Sequence, residues 1–398
     1  MHAGLDTHDT ESLLGVPPVS VETADIVIVG AGIAGTSAAA KLARTHRVVL
    51  LEGEDAVGYH STGRSAALFS ETYGNVPVRA LSRASRPFLA GPPAGFSASP
   101  LIQPRGVLHA AGAGQASTVD AFLRQNDVRE KVRRVGPEEA LALCPALRPQ
   151  SAAAGGLYEA EAADIDVHGL HQGFLRQFRE QNGRLVRSAK VTALRHDGSA
   201  WQVTSTAGDF QARILVNAAG AWADPVAQLA GLAPLCIQPY RRTIALAEVA
   251  GPAIERQWPM ALDVHESYYF KPDAGLLLLS PADETPVDPC DAQPLDLDVA
   301  IAVDRVEAAT RWTIQRIRRA WAGLRSFAPD RTLVIGFDPE APGFFWLAGQ
   351  GGYGIQTSPA AATLAAALVR NEALPPELAG FDPGWVSPAR FAGRPAAT

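Results

Sequence analysis

The sequence predicts an α/β protein of two domains, α+β in overall arrangement, in which a Rossmann-like domain is interleaved with a domain built on an antiparallel sheet. The first observation is a strand, glycine turn, helix and second strand within residues 25–52. The second is that two later blocks of the chain have strand and helix patterns similar to those of this first segment. The third is a hairpin pattern in residues 236–330, which lie between those blocks.

The first of these segments has the pattern of a dinucleotide-binding turn. Ile26–Val29 suits a strand that is buried on both faces, and Gly30 allows the tight turn that follows it. Gly32 lets the backbone approach a pyrophosphate, and Gly35 lets the helix pack closely on the strand. Glu52, at the end of the second strand, is placed to accept hydrogen bonds from a ribose diol. The motif predicts a dinucleotide site and fits both FAD and NAD.

The later blocks extend the nucleotide domain discontinuously. One contains a helix beginning near Asp166, and the other a helix with Ser358 as N-cap and Pro359 at its first position. A hairpin is expected with its turn at 271–275. The predicted organisation is a flexible leader at 1–22, a nucleotide domain at 23–98, 152–235 and 331–398, and a substrate domain at 99–151 and 236–330.

Bulk properties restrict the class of protein. The 398 residues are 47% hydrophobic and 19% charged, which is ordinary globular composition. A net charge of -6 argues against a nucleic-acid partner or an anionic membrane surface. The three cysteines lack metal or disulfide spacing, and no apolar run reaches the length of a membrane span. We therefore expect a cytoplasmic protein without a metal site, an integral membrane segment or a secretory signal.

Two glycine-rich segments are candidates for further cofactor contacts. The loop Gly58–Ala67 follows the acid-bearing strand and could surround a second phosphate or a ring system, or be an ordinary surface turn. His60 in this loop could hold a flavin covalently, act as a base, or simply complete a turn. Gly349–Thr357 carries four glycines within six residues before a helix, so its backbone could lie against a planar ligand.

Arg242, Arg325 and Tyr269 are candidate receptors for an anion. Both arginines have apolar neighbours in the sequence, and a buried guanidinium requires an anionic partner such as a carboxylate. A tyrosine on the hairpin could add a phenol hydrogen bond to the same anion. Taken singly, each residue also fits a buried ion pair or a core tyrosine.

Five stretches, read together, resemble the bacterial FAD-dependent D-arginine dehydrogenases of the D-amino acid oxidase superfamily. They are GYHSTGRSAA, ADIDVHGLHQGFLR, ESYYFKPDAGLLLLSPAD, WAGLRSF and GFFWLAGQGGYGIQTS. The resemblance implies non-covalent FAD, a D-amino acid oxidase type of fold related to glycine oxidase, and oxidation of a D-amino acid to an imino acid. Water then hydrolyses the imino acid to a 2-oxo acid and ammonia. A quinone or other carrier is the implied electron acceptor, which would allow a peripheral position at the inner membrane.

The resemblance also implies roles for individual residues. The substrate carboxylate would be held by Arg242, Tyr269 and Arg325, Tyr73 would close over the substrate from a mobile loop, and Gly352 and Gln356 would lie near its amino group. The cofactor contacts implied by the resemblance are Ala34, Glu52, Ser61, Thr62, Gly63, Arg64, Ser65, Ala66, Ala67, Leu68, Val191, Gly352, Tyr353, Gly354, Ile355, Gln356 and Thr357. The glycine motif adds Gly30, Gly32 and Gly35, and Gly53 beside Glu52 is expected to join them.

Two departures from the family pattern concern the substrate pocket. Val107 stands where the family has a glutamate for a basic substrate, and Leu68 stands where it has a histidine facing the flavin. Both changes make the pocket more apolar, so we expect a preference for neutral or hydrophobic D-amino acids. The expected chemistry is hydride transfer from Cα to flavin N5. Alternatives are a glycine or sarcosine type of amine oxidase and a flavin-binding redox sensor without turnover.

Overall fold

The structure is a computed structural model that describes residues 21–125 and 127–392. The expected flexible leader lies, except for its last two residues, outside the described residues. In the described part of the chain, no helix is both long and apolar enough to cross a membrane.

Twenty strands and eight α-helices are present in these residues. The strands are β1 (Glu22–Val29), β2 (Val48–Leu51), β3 (Leu68–Phe69), β4 (Ile102–Pro104), β5 (Val107–Ala110), β6 (Arg133–Val135), β7 (Gly156–Glu159), β8 (Ala163–Ile165), β9 (Arg184–Val186), β10 (Val191–His196), β11 (Trp201–Ser205), β12 (Gly208–Asn217), β13 (Gln238–Ala250), β14 (Met260–Asp263), β15 (Tyr269–Asp273), β16 (Leu276–Ser280), β17 (Thr285–Pro286), β18 (Thr313–Phe327), β19 (Val334–Phe337) and β20 (Phe344–Ala348). The helices are α1 (Ile33–Leu42), α2 (Val76–Ala90), α3 (Ala116–Leu123), α4 (Pro137–Leu143), α5 (Val167–Glu180), α6 (Ala223–Leu229), α7 (Asp296–Ala309) and α8 (Gly354–Arg370).

The first large sheet has eight strands and confirms the predicted α/β class. Its order is β10-β11-β12-β1-β2-β9, with β20 also paired to β12 and β19 paired to β20. The pairs of β1 with β2 and β12, of β2 with β9, and of β12 with β20 are parallel. Ile26 and Ile28 pack into the core beneath α1, α5 and α8, whereas Val27 and Val29 pack into the core on the opposite face. Burial on both faces explains the uninterrupted apolar run.

The second large sheet has nine strands in the order β17-β13-β16-β15-β14-β5-β7-β6, with β18 paired to β13. Most of its pairs are antiparallel, as predicted for the second domain, and β14 with β5 is parallel. One face carries Leu108, Ala261 and Phe270 and packs against residues of α7 such as Val306. The other face is turned toward the nucleotide domain.

The strands also differ from the predicted domain boundaries. β7 pairs with β5 and β6 in the nine-stranded sheet, although the predicted boundary assigns residues from 152 onward to the nucleotide domain. A small third sheet, β3-β8-β4, joins segments assigned to both domains. These strands are only two to four residues long, so their partners are set by long-range pairing that local pattern does not reveal.

Two local expectations are corrected by the structure. The hairpin turn is tighter than 271–275, because β15 continues to Asp273 and only Ala274 and Gly275 connect it to β16. The last helix begins at Gly354 and not at Ser358, so Pro359 lies inside it. Pro359 has no N–H, so it cannot make the helical hydrogen bond to the Ile355 carbonyl. The Ser358 hydroxyl donates to that carbonyl instead, at 2.9 Å. The predicted helix start near Asp166 is confirmed, since Asp166 caps α5.

Candidate active site

A cavity of about 830 Å³ is lined on one side by residues that follow β1, β2 and β12 of the first sheet, and on the other side by strand residues of the nine-stranded sheet. At one end lie the glycine turn after β1 and Glu52, and at the other lie Tyr269 and Val107 of the nine-stranded sheet. The loop Gly58–Ala67 and the glycine segment before α8 line the wall between them. The fold thus brings most of the predicted cofactor residues and the predicted substrate residues to one continuous space.

Gly30 and Gly35 have the local geometry predicted for them, and the approach of a pyrophosphate to Gly32 stays a prediction. Gly30 has φ +102°, and a Cβ on it would lie 2.5 Å from the carbonyl oxygen of Ala218. A Cβ on Gly35 would lie 1.8 Å from the carbonyl oxygen of Gly30. Gly32 is the N-cap of α1 and has no side chain to cap it. The backbone at the start of α1 is therefore free to approach an anion, which the helix dipole would stabilise.

Glu52 is held beside this turn by backbone donors. Its carboxylate accepts hydrogen bonds from Ala31 N at 2.8 Å and from Glu54 N at 3.0 Å. Burial raises the pKa of the Glu52 carboxyl, although these two hydrogen bonds oppose the shift. A carboxylate has about four acceptor positions, so two remain for a ribose diol.

Hydroxyl groups of the loop Gly58–Ala67 tie it to both domains. Thr62 Oγ1 accepts from Ile33 N at 3.0 Å, at the start of α1, and Ser61 Oγ donates to the Leu324 carbonyl at 2.7 Å. Arg64 lines the cavity, but its guanidinium donates to the carbonyls of Ala292 and Ala322 and to the Asp291 carboxylate. Arg64 therefore uses three of its five N–H donors to join this loop to the second domain.

His60 lies near the Glu52 end of the cavity. Its Nε2 is 2.9 Å from Glu54 Oε1, and its ring contacts that of Trp222 with centroids 4.6 Å apart. The other ring nitrogen is buried and has no partner within residues 21–125 and 127–392. These contacts give the ring an orienting role within the loop.

The glycine segment before α8 allows close approach to the arginines. A Cβ on Gly351 would lie 2.3 Å from the Phe327 ring. A Cβ on Gly352 would lie 2.7 Å from Tyr73 Oη and 3.1 Å from Arg325 Cζ. Since α8 begins at Gly354, the positive end of a 17-residue helix dipole lies at the cavity wall.

Arg242, Arg325, Tyr269 and Tyr73 all line the second end of the cavity. Arg325 donates to Tyr73 Oη at 3.2 Å, and no carboxylate pairs with it among the described residues. Tyr269 is 5% exposed, and its hydroxyl is buried without a hydrogen-bond partner in the described part of the chain. An unpaired guanidinium beside an unpaired buried hydroxyl is the arrangement expected of an anion receptor.

The arginines at the second end of the cavity carry more positive charge than the neighbouring carboxylates neutralise. Arg242 donates to the Asp283 carbonyl at 2.7 Å and to Glu284 Oε1 at 3.2 Å. Arg331 shares the same Glu284 carboxylate at 2.9 and 3.1 Å. Burial, followed by the charge of Arg325, lowers the pKa of the Arg242 guanidinium. With Arg325, three cations lie near Glu284, and the other glutamate nearby, Glu266, is exposed, so a bound carboxylate would reduce the repulsion between the cations.

Strand register places apolar side chains beside this receptor. Met260 pairs with Val107, and Leu262 pairs with both Tyr269 and His109, so all five side chains share one face of the nine-stranded sheet. That face lines the cavity, together with Leu68 and Ile244. Val107 is 2% exposed. The pocket wall next to the receptor is therefore mainly aliphatic, apart from His109.

Several predicted contact residues do not line the cavity. They are Gly35, Gly53, Gly63, Val191 and Thr357. Gly63 N closes the loop turn onto the Gly58 carbonyl at 2.8 Å, Val191 is buried in a hydrophobic core cluster, and Thr357 bonds within α8 to Tyr353. Contacts from these residues stay predictions.

The Gln356 side chain takes a position that differs from the expected one. Its amide oxygen accepts from Ser70 N at 3.1 Å, and its amide nitrogen donates to the Ser70 carbonyl at 3.0 Å and to Ser82 Oγ at 2.6 Å. Both N–H donors are thus used in joining α8 to α2 and to the segment that leads to Tyr73. The amide therefore fixes the positions of Ser70 and Ser82 relative to α8, and it has no N–H donor left for a substrate.

Sequence reasoning missed four residues that the structure brings to the site. His171 Nε2 donates to the Ala31 carbonyl, 3.0 Å away, and so supports the glycine turn after β1. Lys271 bridges the Ala66 carbonyl and Asp164 at 3.0 and 2.7 Å. Arg331 and His109 line the cavity directly. A histidine in the apolar run Val107–Ala110 was a detectable signal, whereas Arg331 lies in an ordinary polar turn.

The cavity fits FAD by its own geometry. The turn after β1 is too crowded for any Cβ at Gly30 or Gly35. Gly32 presents no side chain at the start of α1, and Glu52 retains acceptor capacity. Gly351 and Gly352 let the backbone approach a planar ring near the arginines. These residues, with the loop Gly58–Ala67, would hold the cofactor.

Comparison with known proteins agrees with this fit. The chain is 26% identical over 375 residues to glycine oxidase of Geobacillus kaustophilus, covering 90% of this chain and 96% of that protein. It is 28% identical over 272 residues to hydrogen cyanide synthase subunit HcnC of Pseudomonas aeruginosa, covering 67% of this chain but only 62% of that subunit.

Solved structures give the same fold. The crystal structure of the Geobacillus glycine oxidase matches with a TM-score of 0.76 and 23% identity, covering 91% of this chain and 98% of that one. The crystal structure of L-proline dehydrogenase from P.horikoshii matches with a TM-score of 0.78 and 22% identity, covering 94% and 98%. The model of the DAO family, described as FAD dependent oxidoreductase, matches residues 25–368. The chain therefore belongs to the DAO family of FAD-dependent oxidoreductases.

Proposed function

We propose that this protein is a D-amino acid dehydrogenase that oxidises neutral or hydrophobic D-amino acids to imino acids, which water hydrolyses to 2-oxo acids and ammonia. Membership of the DAO family supports an FAD-dependent oxidoreductase that acts on amines or amino acids. The D configuration rests on the resemblance of five sequence stretches to the D-arginine dehydrogenases, and a quinone or other carrier is the proposed acceptor.

The observation that carries the proposal is the anion receptor formed by Arg325, Arg242 and Tyr269. Arg325 has no carboxylate partner among the described residues, and the buried Tyr269 hydroxyl has no hydrogen bond there. A substrate carboxylate supplies an acceptor for both groups and neutralises part of the positive charge. A protein that only binds flavin does not require such a receptor, which argues against the redox-sensor alternative.

FAD, when bound, supplies a two-electron acceptor for the hydride that leaves the substrate Cα. The contribution of the chain is to fix the carboxylate, because a bidentate guanidinium contact restricts rotation of the substrate about its Cα. Tyr73 is aligned for the same task by its hydrogen bond to Arg325. Leu68 offers no proton acceptor, so the ammonium proton of the substrate is expected to leave to water.

The preference for neutral side chains is supported by the aliphatic wall. Val107 is buried, and Met260, Leu262 and Ile244 lie on the same face of the sheet. A cationic side chain would lose hydration there. The buried Glu159, paired with Val107 across the sheet, does not line the cavity, and its carboxylate already accepts hydrogen bonds from Ser70, Glu71 and Thr72. Glu266 also lines the cavity, but its side chain is exposed, and water weakens its attraction for a cation.

The test is an anaerobic panel of D- and L-amino acids scored by loss of flavin absorbance. We expect rapid reduction by D-leucine and D-phenylalanine, slow reduction by D-arginine and little by the L enantiomers. A large preference for D-arginine over D-leucine would refute the proposed side-chain preference. Reduction by L enantiomers alone would refute the proposed configuration.

A glycine or sarcosine type of amine oxidase is the second candidate. It is favoured by the match to glycine oxidase over 96% of that protein. Peroxide release in air with sarcosine, exceeding the rate with any D-amino acid, would establish this alternative. Reduction of a quinone analogue without peroxide release would favour the proposed dehydrogenase.

A further inference from the structure

His109 is a polar residue in the aliphatic wall of the cavity that neither the carboxylate receptor nor the cofactor site uses. It lies on β5, two residues after Val107, and therefore on the same face of the strand. Its side chain is buried, with 8% of the residue exposed, and it lines the cavity. A buried imidazole in such a wall is costly to desolvate unless it acquires a hydrogen-bond partner.

Strand register gives the distance of His109 from the carboxylate receptor. Tyr269 on β15 pairs with Leu262 on β14, and Leu262 pairs with His109 on β5. The three residues form a row across the sheet, and neighbouring strands are about 4.8 Å apart, so the outer two Cα atoms are about 10 Å apart. A ligand with its carboxylate at Tyr269 would have to extend across Leu262 to reach His109.

The ring of His109 is oriented by packing and has no hydrogen-bond partner among the described residues. It contacts the Phe122 ring with centroids 5.5 Å apart. Burial lowers the pKa of His109 to about 4, so the imidazole is neutral at physiological pH. A neutral imidazole offers one donor and one acceptor, which suits an uncharged polar group better than a second carboxylate.

We propose that His109 is a specificity-determining residue that hydrogen-bonds an uncharged polar group at the far end of the substrate side chain. The preferred substrates then have an apolar stem that lies along Val107, Met260 and Leu262 and a tip such as a phenol or an amide. This inference rests on the proposed function, because it takes the carboxylate position from the receptor at Arg325 and Tyr269.

The test uses carboxylic acids that lack an amino group and so cannot be oxidised. The holoenzyme is titrated calorimetrically with 3-phenylpropanoate and 3-(4-hydroxyphenyl)propanoate, which differ only in the terminal hydroxyl. We expect the hydroxylated acid to bind about tenfold more tightly to the wild type, the effect of one buried hydrogen bond. In His109→Leu we expect the two dissociation constants to become equal, and in His109→Gln we expect most of the difference to return.

A matched control is His168→Leu, which removes an exposed histidine that does not line the cavity. It should retain the wild-type ratio of the two constants. Equal binding of both acids by the wild type would overturn the proposal without any variant. An unchanged ratio in a folded His109→Leu would also overturn it.

Failure of the proposed function has a different outcome. If the carboxylate receptor is misassigned, neither acid binds and Arg325→Met changes nothing. If only the role of His109 is wrong, both acids bind, Arg325→Met weakens both, and the ratio between them does not depend on His109. The kinetic counterpart is the ratio of kcat/KM for D-tyrosine over D-phenylalanine, which should fall about tenfold in His109→Leu.

Discussion

Replacement of Arg325 by methionine separates binding from stability. Among the residues that the structure describes, Arg325 has one hydrogen bond, to Tyr73 Oη at 3.2 Å, and no carboxylate partner. Its charge acts unfavourably on Arg242, whose pKa it helps to lower after the larger effect of burial. The residue is therefore expected to matter little to the fold and greatly to an anion.

The size of the effect follows from these contacts. Hydrogen bonds to charged groups contribute about 1.5 to 3 kcal/mol each, so loss of the guanidinium should weaken carboxylate binding by about 3 kcal/mol, or about 100-fold. The pKa of Arg325 is raised, because the effect of burial is outweighed by Tyr73, Tyr269 and Glu284. The free energy of unfolding should therefore fall by about 1 kcal/mol, since relief of repulsion with Arg242 offsets only part of these lost interactions.

The assay pairs two measurements on the FAD-loaded enzyme. Calorimetric titration with 3-phenylpropanoate gives the dissociation constant, and thermal denaturation without ligand gives the stability. Arg195→Met, at an exposed position on β10, is the control and should change neither. A strongly destabilised Arg325→Met that binds the acid normally would show that this arginine serves the fold and would refute the reasoning.

Three further predictions concern neighbouring residues. Gly352→Ala should raise KM about tenfold with little change in Tm, because the new Cβ would lie 2.7 Å from Tyr73 Oη and 3.1 Å from Arg325 Cζ. An unchanged KM would show that these two side chains have room to move. Val107→Glu should raise the kcat/KM ratio of D-arginine to D-leucine at least tenfold, since it supplies a buried carboxylate for the cationic chain; no change in the ratio would place the substrate side chain elsewhere. The folded-state pKa of His109 lies below its ordinary value of 6.5, at about 4. Below pH 6.5 the unfolded state therefore binds a proton that the folded state does not, and a stability contribution of about 3 kcal/mol, fully present above pH 6.5, is lost as the pH falls toward 4. Urea denaturation should show a smaller loss between pH 6.5 and 4 in His109→Leu than in the wild type, and identical losses would contradict burial of the ring.

Local sequence pattern was sufficient for the nucleotide-binding end of the site. Gly30, Gly35 and Glu52 occupy the positions that the strand–turn–helix pattern requires, because their roles depend on contacts between elements close in the chain. Pattern failed at Pro359, since a Ser-Pro pair is typical of a helix start and only the hydrogen bond from Ser358 to Ile355 makes it compatible with a helix interior.

The substrate end depended on resemblance and on long-range pairing. Sequence alone indicated that Arg242 and Arg325 could each bind an anion. It did not show that they lie together, because that depends on the pairing of β13 with β18. The role of His109 follows from the register of β5, β14 and β15, which no local pattern specifies. The orientation of Gln356 was missed for the same reason, since Ser70 and Ser82 determine it.

The most direct test of the central claim is anaerobic reduction of the bound flavin by enantiomeric pairs of leucine and phenylalanine, in the wild type and in Arg325→Met. The carboxylate receptor and the aliphatic wall predict rapid bleaching by the D enantiomers and a loss of about 100-fold in the apparent affinity of the variant. Bleaching by the L enantiomers alone, or equal affinity for the D enantiomers in both proteins, would contradict it.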